Sequence, residues 1–220
     1  MFPIVALLFA ALESLALWKK WIQLEYITKP AVMVILFIWL WTTAGLSGAT
    51  LWFGIGILLS LTGDVMLMIS LDRLFLAGLA AFLLAHIAYL VGFNIPMPEL
   101  SAWGLIMAVV IGLGSARITR LIVASLVSKG QMRMRLPIII YSTVISFMLL
   151  AAMMKLVDVD WNSSAAILVS LGAFLFYLSD IILAWHKFVA PIQNGRIYNI
   201  GAYHLGQITL IAGVIMQFGN

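Results

Sequence analysis

Two aspartates stand inside apolar runs: Asp64 in Ser60-Leu61-Thr62-Gly63-Asp64-Val65-Met66-Leu67, and Asp180 in Phe176-Tyr177-Leu178-Ser179-Asp180-Ile181-Ile182. A lone carboxylate in such surroundings costs several kcal/mol unless it is paired or protonated. Two carboxyl groups in one low-dielectric site can divide the roles of acid and base near neutral pH. That suits hydrolysis by water, and it also suits proton transport. The span after each aspartate carries a histidine, His86 and His204, and the two Asp–His intervals are nearly equal. Tyr89 follows His86 by one turn, and Tyr203 and Gln207 flank His204. A shared site built on Asp64 and Asp180 is therefore expected.

Other chemistries lack their residues. The chain has no cysteine, which excludes disulfides, thiolate metal sites and cysteine nucleophiles. Neither Gly-x-Ser-x-Gly nor His-Glu-x-x-His occurs, so serine-lipase and zincin signatures are missing. His86, His186 and His204 fit no zinc-ligand spacing, and neither a metal nor any other cofactor is expected. Glu13 reads as an interfacial residue within reach of Lys19, and His204 as structural.

The elements that must position these groups follow from composition. Of 220 residues, 65% are hydrophobic and 9% charged, with a mean hydropathy of +1.16. So apolar a chain requires lipid as its solvent. The reading is all-α: a polytopic membrane protein in one domain, residues 1–220. Apolar runs long enough to span give eight helices, roughly 2–18, 30–47, 49–70, 74–93, 102–116, 136–154, 163–185 and 198–218. The fifth is short, and its helix is expected to continue past Arg117 and Arg120. Pro30 and Pro137 fall at span entrances, where a helix start tolerates proline; Pro96 and Pro98 mark the link after span four. Met1–Trp18 carries its basic pair, Lys19-Lys20, after the apolar run rather than before it, and reads as a first span rather than a signal peptide.

Charge sets the orientation. Of the 12 lysines and arginines, only Lys155 falls in an outward link when the N-terminus is placed outside. The positive-inside rule then puts both termini outside; in a bacterial cell this is the periplasmic face of the inner membrane. The basic residues lie between apolar runs and form no single patch, so no nucleic-acid partner is expected. Helical rise puts Asp64 about 13 Å and Asp180 about 10 Å from the inward edge, at similar depth to Lys29 and His204. The repeated Asp–His spacing, with Lys29-Pro30 and Arg135-Leu136-Pro137 opening spans two and six, is consistent with a parallel repeat of two four-helix halves.

These residues resemble, in order along nearly the whole chain, the YhhN family of membrane proteins, which includes the lysoplasmalogenases. The resemblance runs through Thr28-Lys29-Pro30, Gly63-Asp64-Val65-Met66-Leu67, Phe75, Gly78 and Phe82 with His86 and Tyr89. It continues through Pro137 and Tyr141, Gly172 to Asp180, and Tyr203 with Gln207. His204 stands where family members are commonly aromatic or apolar. The resemblance implies an eight-helix hydrolase that cleaves the vinyl ether of single-chain ether lysophospholipids, releasing a fatty aldehyde. Asp64 and Asp180 would then be catalytic. Lys29 would hold the phosphate, His86 and Tyr89 would orient a carboxylate or water, and Tyr203 with Gln207 would line the pocket. A proton-coupled transporter or channel using the same Asp/His groups is the alternative.

Overall fold

The computed structural model describes residues 1–97, 99 and 101–219; Pro98 lies outside them. Among the described residues, eight helices are long and apolar enough to cross a bilayer. They are α1 (Phe2–Lys19), α2 (Ile22–Ala44), α3 (Ala49–Ile69), α4 (Phe75–Phe93), α5 (Ala102–Ser128), α6 (Arg135–Met154), α7 (Ser163–Ala184) and α8 (Gly195–Phe218). The protein is 85% helical and its described residues contain no strand. This is the all-α, polytopic membrane architecture expected from hydropathy: with no water to satisfy backbone N–H and C=O groups, apolar segments close their hydrogen bonds internally.

Three boundaries differ from the hydropathy limits. α2 begins at Ile22, which puts Pro30 inside the helix rather than at its entrance. Proline has no N–H to give the preceding turn, and polar residues such as Gln23 and Glu25 fall below hydropathy thresholds without opposing a helix. α5 continues past Arg117 and Arg120 to Ser128, because arginine is a good helix former even where it ends an apolar run. α8 starts at Gly195, so Arg196 lies in its first turn, where it donates to Glu25 of α2 at 2.5 Å. After α7, a wide π turn over Trp185–Val189 leads into the last link.

Helix pairing repeats with a shift of four. α1 packs on α2 and α5 on α6; α3 packs on α4 and α7 on α8; α2 meets α8 as α6 meets α4. The correspondence fails most clearly at α1 and α5. α1 lies against α8, whereas α5 touches α6 and the π turn instead of packing along α4. The bundle is thus closed on the α1 side and looser on the α5 side.

Small residues set the tightest seam. A Cβ added at Gly172 of α7 would lie 2.4 Å from the Leu210 backbone nitrogen, and one at Gly206 of α8 would lie 2.8 Å from that of Phe176. Helices in lipid associate through such close backbone approach, since lipid supplies no hydrophobic drive between them. Gly172→Ala is expected to destabilise the bundle by about 1–3 kcal/mol, the usual cost of overpacking. Thermal unfolding in detergent measures it, with Gly112→Ala, which meets no atom within 4 Å, as the neutral comparison.

Candidate active site

The polar side chains buried in the bundle form two clusters. The first centres on Asp64, in the last turns of α3. Lys29 Nζ of α2 lies 3.2 Å from its Oδ1, and the Tyr203 hydroxyl of α8 donates to its Oδ2 at 2.6 Å. With Asp64 1% and Lys29 7% exposed, this is a buried ion pair closed by a third group. Beside it, Tyr89 of α4 donates to Gln207 Oε1 at 2.8 Å, and Gln207 Nε2 donates to Ser60 Oγ at 3.1 Å. Gly56 makes room for the Tyr89 ring, since a Cβ there would sit 2.2 Å from it. His204 Nε2 and Glu13 Oε2 lie 2.6 Å apart, both fully buried.

The second cluster centres on Asp180, in the last turns of α7. Tyr141 of α6 donates to Asp180 Oδ2 at 2.5 Å. His86 Nε2 of α4 lies 3.2 Å from the same oxygen and 3.0 Å from the Tyr141 hydroxyl. His86 Nδ1 is buried without a hydrogen-bond partner. A proton on Nε2 puts the donor on the carboxylate and leaves only the Nδ1 lone pair unmet. The Asp180 Oδ1 meets no donor closer than Ser179 Oγ at 3.5 Å, and Ser179 is already bonded to the Phe176 carbonyl at 2.8 Å. So one oxygen of Asp180 is fixed by two donors and the other is available.

Aromatic rings stand between the clusters. Phe176 packs on His86 on one side, with centroids 4.5 Å apart, and on Tyr203 on the other, at 5.3 Å. Phe82 completes the wall against both Phe176 and Tyr203. The structure therefore gives each aspartate its own partners and brings no hydrogen bond between them. Of the residues singled out from the sequence, Lys29, Asp64 and Tyr203 meet in one group, Tyr89 and Gln207 in its neighbour, and His86 and Asp180 across the wall. Glu13 reaches His204 rather than Lys19, whose ammonium lies over the Trp18 ring. Tyr141 carried part of the family resemblance without a role, and Ser60 had none; a tyrosine one turn after a helix-opening proline was the available signal for the former.

Access differs between the two. Asp180 and Tyr141 line an apolar crevice bounded by α4, α5, α6, α7 and Leu67 of α3, with a volume of about 50 Å³. Asp64 lines neither this crevice nor the neighbouring cleft of about 420 Å³, but its partner Lys29 forms a wall of that cleft, between the π turn and the start of α8, with Lys187, Arg196 and Asn199. Leu67 and Leu183 line both spaces, so the cleft and the crevice adjoin. A polar, basic recess thus leads to an apolar one that holds a carboxyl group.

The YhhN family model matches residues 24–214, which contain both clusters except Glu13. The chain belongs to the YhhN family. Among similar proteins, lysoplasmalogenase TMEM86B of Mus musculus is 27% identical over 202 residues, 91% of this chain and 78% of that protein. TMEM86B of Rattus norvegicus, also named a lysoplasmalogenase, is 25% identical over 91% of this chain and 76% of its own length. Lysoplasmalogenase TMEM86A of Homo sapiens is 26% identical over 73% of this chain and 64% of its own. No solved structure matches the chain significantly.

Proposed function

We propose that this YhhN protein hydrolyses the vinyl ether bond of lysoplasmalogens, releasing a fatty aldehyde and a glycerophospho-headgroup compound. The observation that carries the reading is Asp180, held by Tyr141 and His86 with one oxygen free, on the wall of an apolar crevice that adjoins a basic cleft. The names of the relatives, lysoplasmalogenases in mouse, rat and human, support the substrate class.

The reaction needs no acyl nucleophile and no oxyanion hole. A vinyl ether is protonated at its β-carbon, which leaves an oxocarbenium ion, and an acid and a nearby anion are what that step requires. Asp180 carries the proton on Oδ1 and transfers it to the β-carbon. The resulting carboxylate keeps its two donors, Tyr141 and His86, and faces the cation. Water then adds to the α-carbon and returns a proton to Asp180. The hemiacetal collapses, its carbon–oxygen bond breaks, and aldehyde and glycerol hydroxyl leave. One water is consumed and the acid is regenerated.

In this reading Asp64 is a positioning residue. It holds Lys29 at the wall of the basic cleft, where Lys29 and Lys187 meet the substrate phosphate as point charges and Arg196 as a planar fork of donors. Tyr203, Tyr89 and Gln207 brace that pair and the ring wall beside it. The same basic end faces the cytoplasm by the positive-inside rule, with both termini outside. The test is aldehyde release from lysoplasmalogen by purified protein in detergent. Release at a rate above the no-enzyme control is expected; a folded, monodisperse protein that releases none overturns the assignment.

A further inference from the structure

The crevice at Asp180, about 50 Å³, is far tighter than the basic cleft of about 420 Å³ beside it. For a lipid to reach Asp180, one wall must move, and α5 is the wall least tied down. Of the eight helices it has the smallest buried share, 11% of its span. Its two ends are fastened. Trp103 Nε1 donates to the Met153 carbonyl at 3.2 Å at one end, and Ser125 and Lys129 both donate to the Phe188 carbonyl at 2.7 Å at the other. Between these ties, one side-chain hydrogen bond joins α5 to α6 among the described residues, Ser115 to Ser146 at 2.8 Å.

That bond lies over a passage. Outside the α5–α6 seam runs a groove of about 630 Å³ on the lipid-facing surface. Ser115, Thr119 and Ser142 line both the groove and the Asp180 crevice, so these three residues are the partition between the two. At the basic end of the groove stand Arg120 and Arg135, both exposed and neither in an ion pair among the described residues. Midway, Gly112 leaves the groove unfilled, with no atom within 4 Å of where its Cβ would be.

The geometry points to the α5–α6 groove as the lateral entry port for a single-chain lysophospholipid, with its phosphate between Arg120 and Arg135 and its chain along Gly112. The chain passes to Asp180 when the Ser115–Ser146 contact opens. An apolar groove alone would suit any lipid tail; the two unpaired arginines at one end select an anionic headgroup, and guanidinium groups bind phosphate well. The ends of α5 stay fastened while its middle bows away, which is the motion its ties permit. The inference rests on the lysolipid reading for its substrate, but its test does not depend on turnover.

The probe is a non-hydrolysable alkyl ether lysophospholipid with a photoactivatable diazirine on its chain, incubated with the full-length protein in nanodiscs. Labelling is expected on α5 and α6 residues of the groove and on the crevice, and Gly112→Trp, which fills open space, should reduce it at least about fivefold. Arg120→Gln with Arg135→Gln should weaken labelling by this probe but not by its phosphate-free alkylglycerol counterpart. Because the chain has no cysteine, Ser115→Cys with Ser146→Cys gives a single disulfide that locks the seam; oxidation should suppress crevice labelling and reductant should restore it. Labelling confined to the basic cleft, or unchanged by Gly112→Trp, overturns the port. Seam labelling without aldehyde release in the parallel assay would keep the port and reject the substrate.

Discussion

Asp180→Asn is expected to lower kcat by about 10²–10⁴-fold, the range that a positioned general acid contributes, with no change in melting temperature beyond a degree or two. The reason is geometric. Asparagine fills the same space, and its carbonyl can still accept from Tyr141 and His86, which now bond Oδ2. What it cannot do is carry a transferable proton toward the crevice. The partners serve as graded controls. Tyr141→Phe removes one of two donors on the fixed oxygen, and His86→Gln keeps a donor there but loses the ring that packs on Phe176. Each should cost less than Asp180→Asn, since the carboxyl group remains. Aldehyde release measured with saturating substrate distinguishes these variants. An Asp180→Asn enzyme turning over within a factor of about three of the wild type, in a folded preparation, sinks the assignment of Asp180 as the acid.

The number of spans was legible because lipid imposes one requirement, internally closed backbone hydrogen bonds, and hydropathy reports it directly. Helix ends were legible where polarity and helix propensity agree. Before Pro30 they do not, and α2 runs through residues that a hydropathy window rejects; the continuation of α5 past Arg117 and Arg120 was legible, because arginine favours a helix even where it ends an apolar run. The site was legible in one coordinate. Counting along a helix gives depth, and by depth Asp64 and Asp180 look like neighbours. It gives no direction around the bundle axis, and there Phe176 and Phe82 stand between them. Cross-bundle partners such as Glu13 with His204 or Tyr141 with Asp180 were out of reach for the same cause. A 3.6-residue period tells which side chains share a face of one helix, not which helix that face meets.

Asp64→Asn is expected to destabilise the protein by about 3–5 kcal/mol, because it leaves the Lys29 ammonium buried without its counter-charge. An amide oxygen in place of Oδ1 still accepts from Lys29; the amide nitrogen in place of Oδ2 donates to the Tyr203 oxygen, whose own proton turns to Met33 Sδ, so the shape is kept and the charge balance is lost. Removing both charges together, as Lys29→Met with Asp64→Asn, should recover most of that stability, since an uncharged pair of similar volume leaves no buried charge without its partner. Stability alone would make the pair structural. Its second readout separates the roles: if Lys29 is held to meet the substrate phosphate, the stable double variant should keep much of its kcat while KM for the lysolipid rises about tenfold or more. A phosphate-free alkenylglycerol, which has nothing to offer Lys29, should show no such rise. A double variant with wild-type KM for both substrates would make the Lys29–Asp64 pair a clamp between α2 and α3 only. A double variant that is stable yet loses kcat as completely as Asp180→Asn would instead put the Asp64 carboxylate among the groups that act on the cation, through the ring wall that separates it from the crevice.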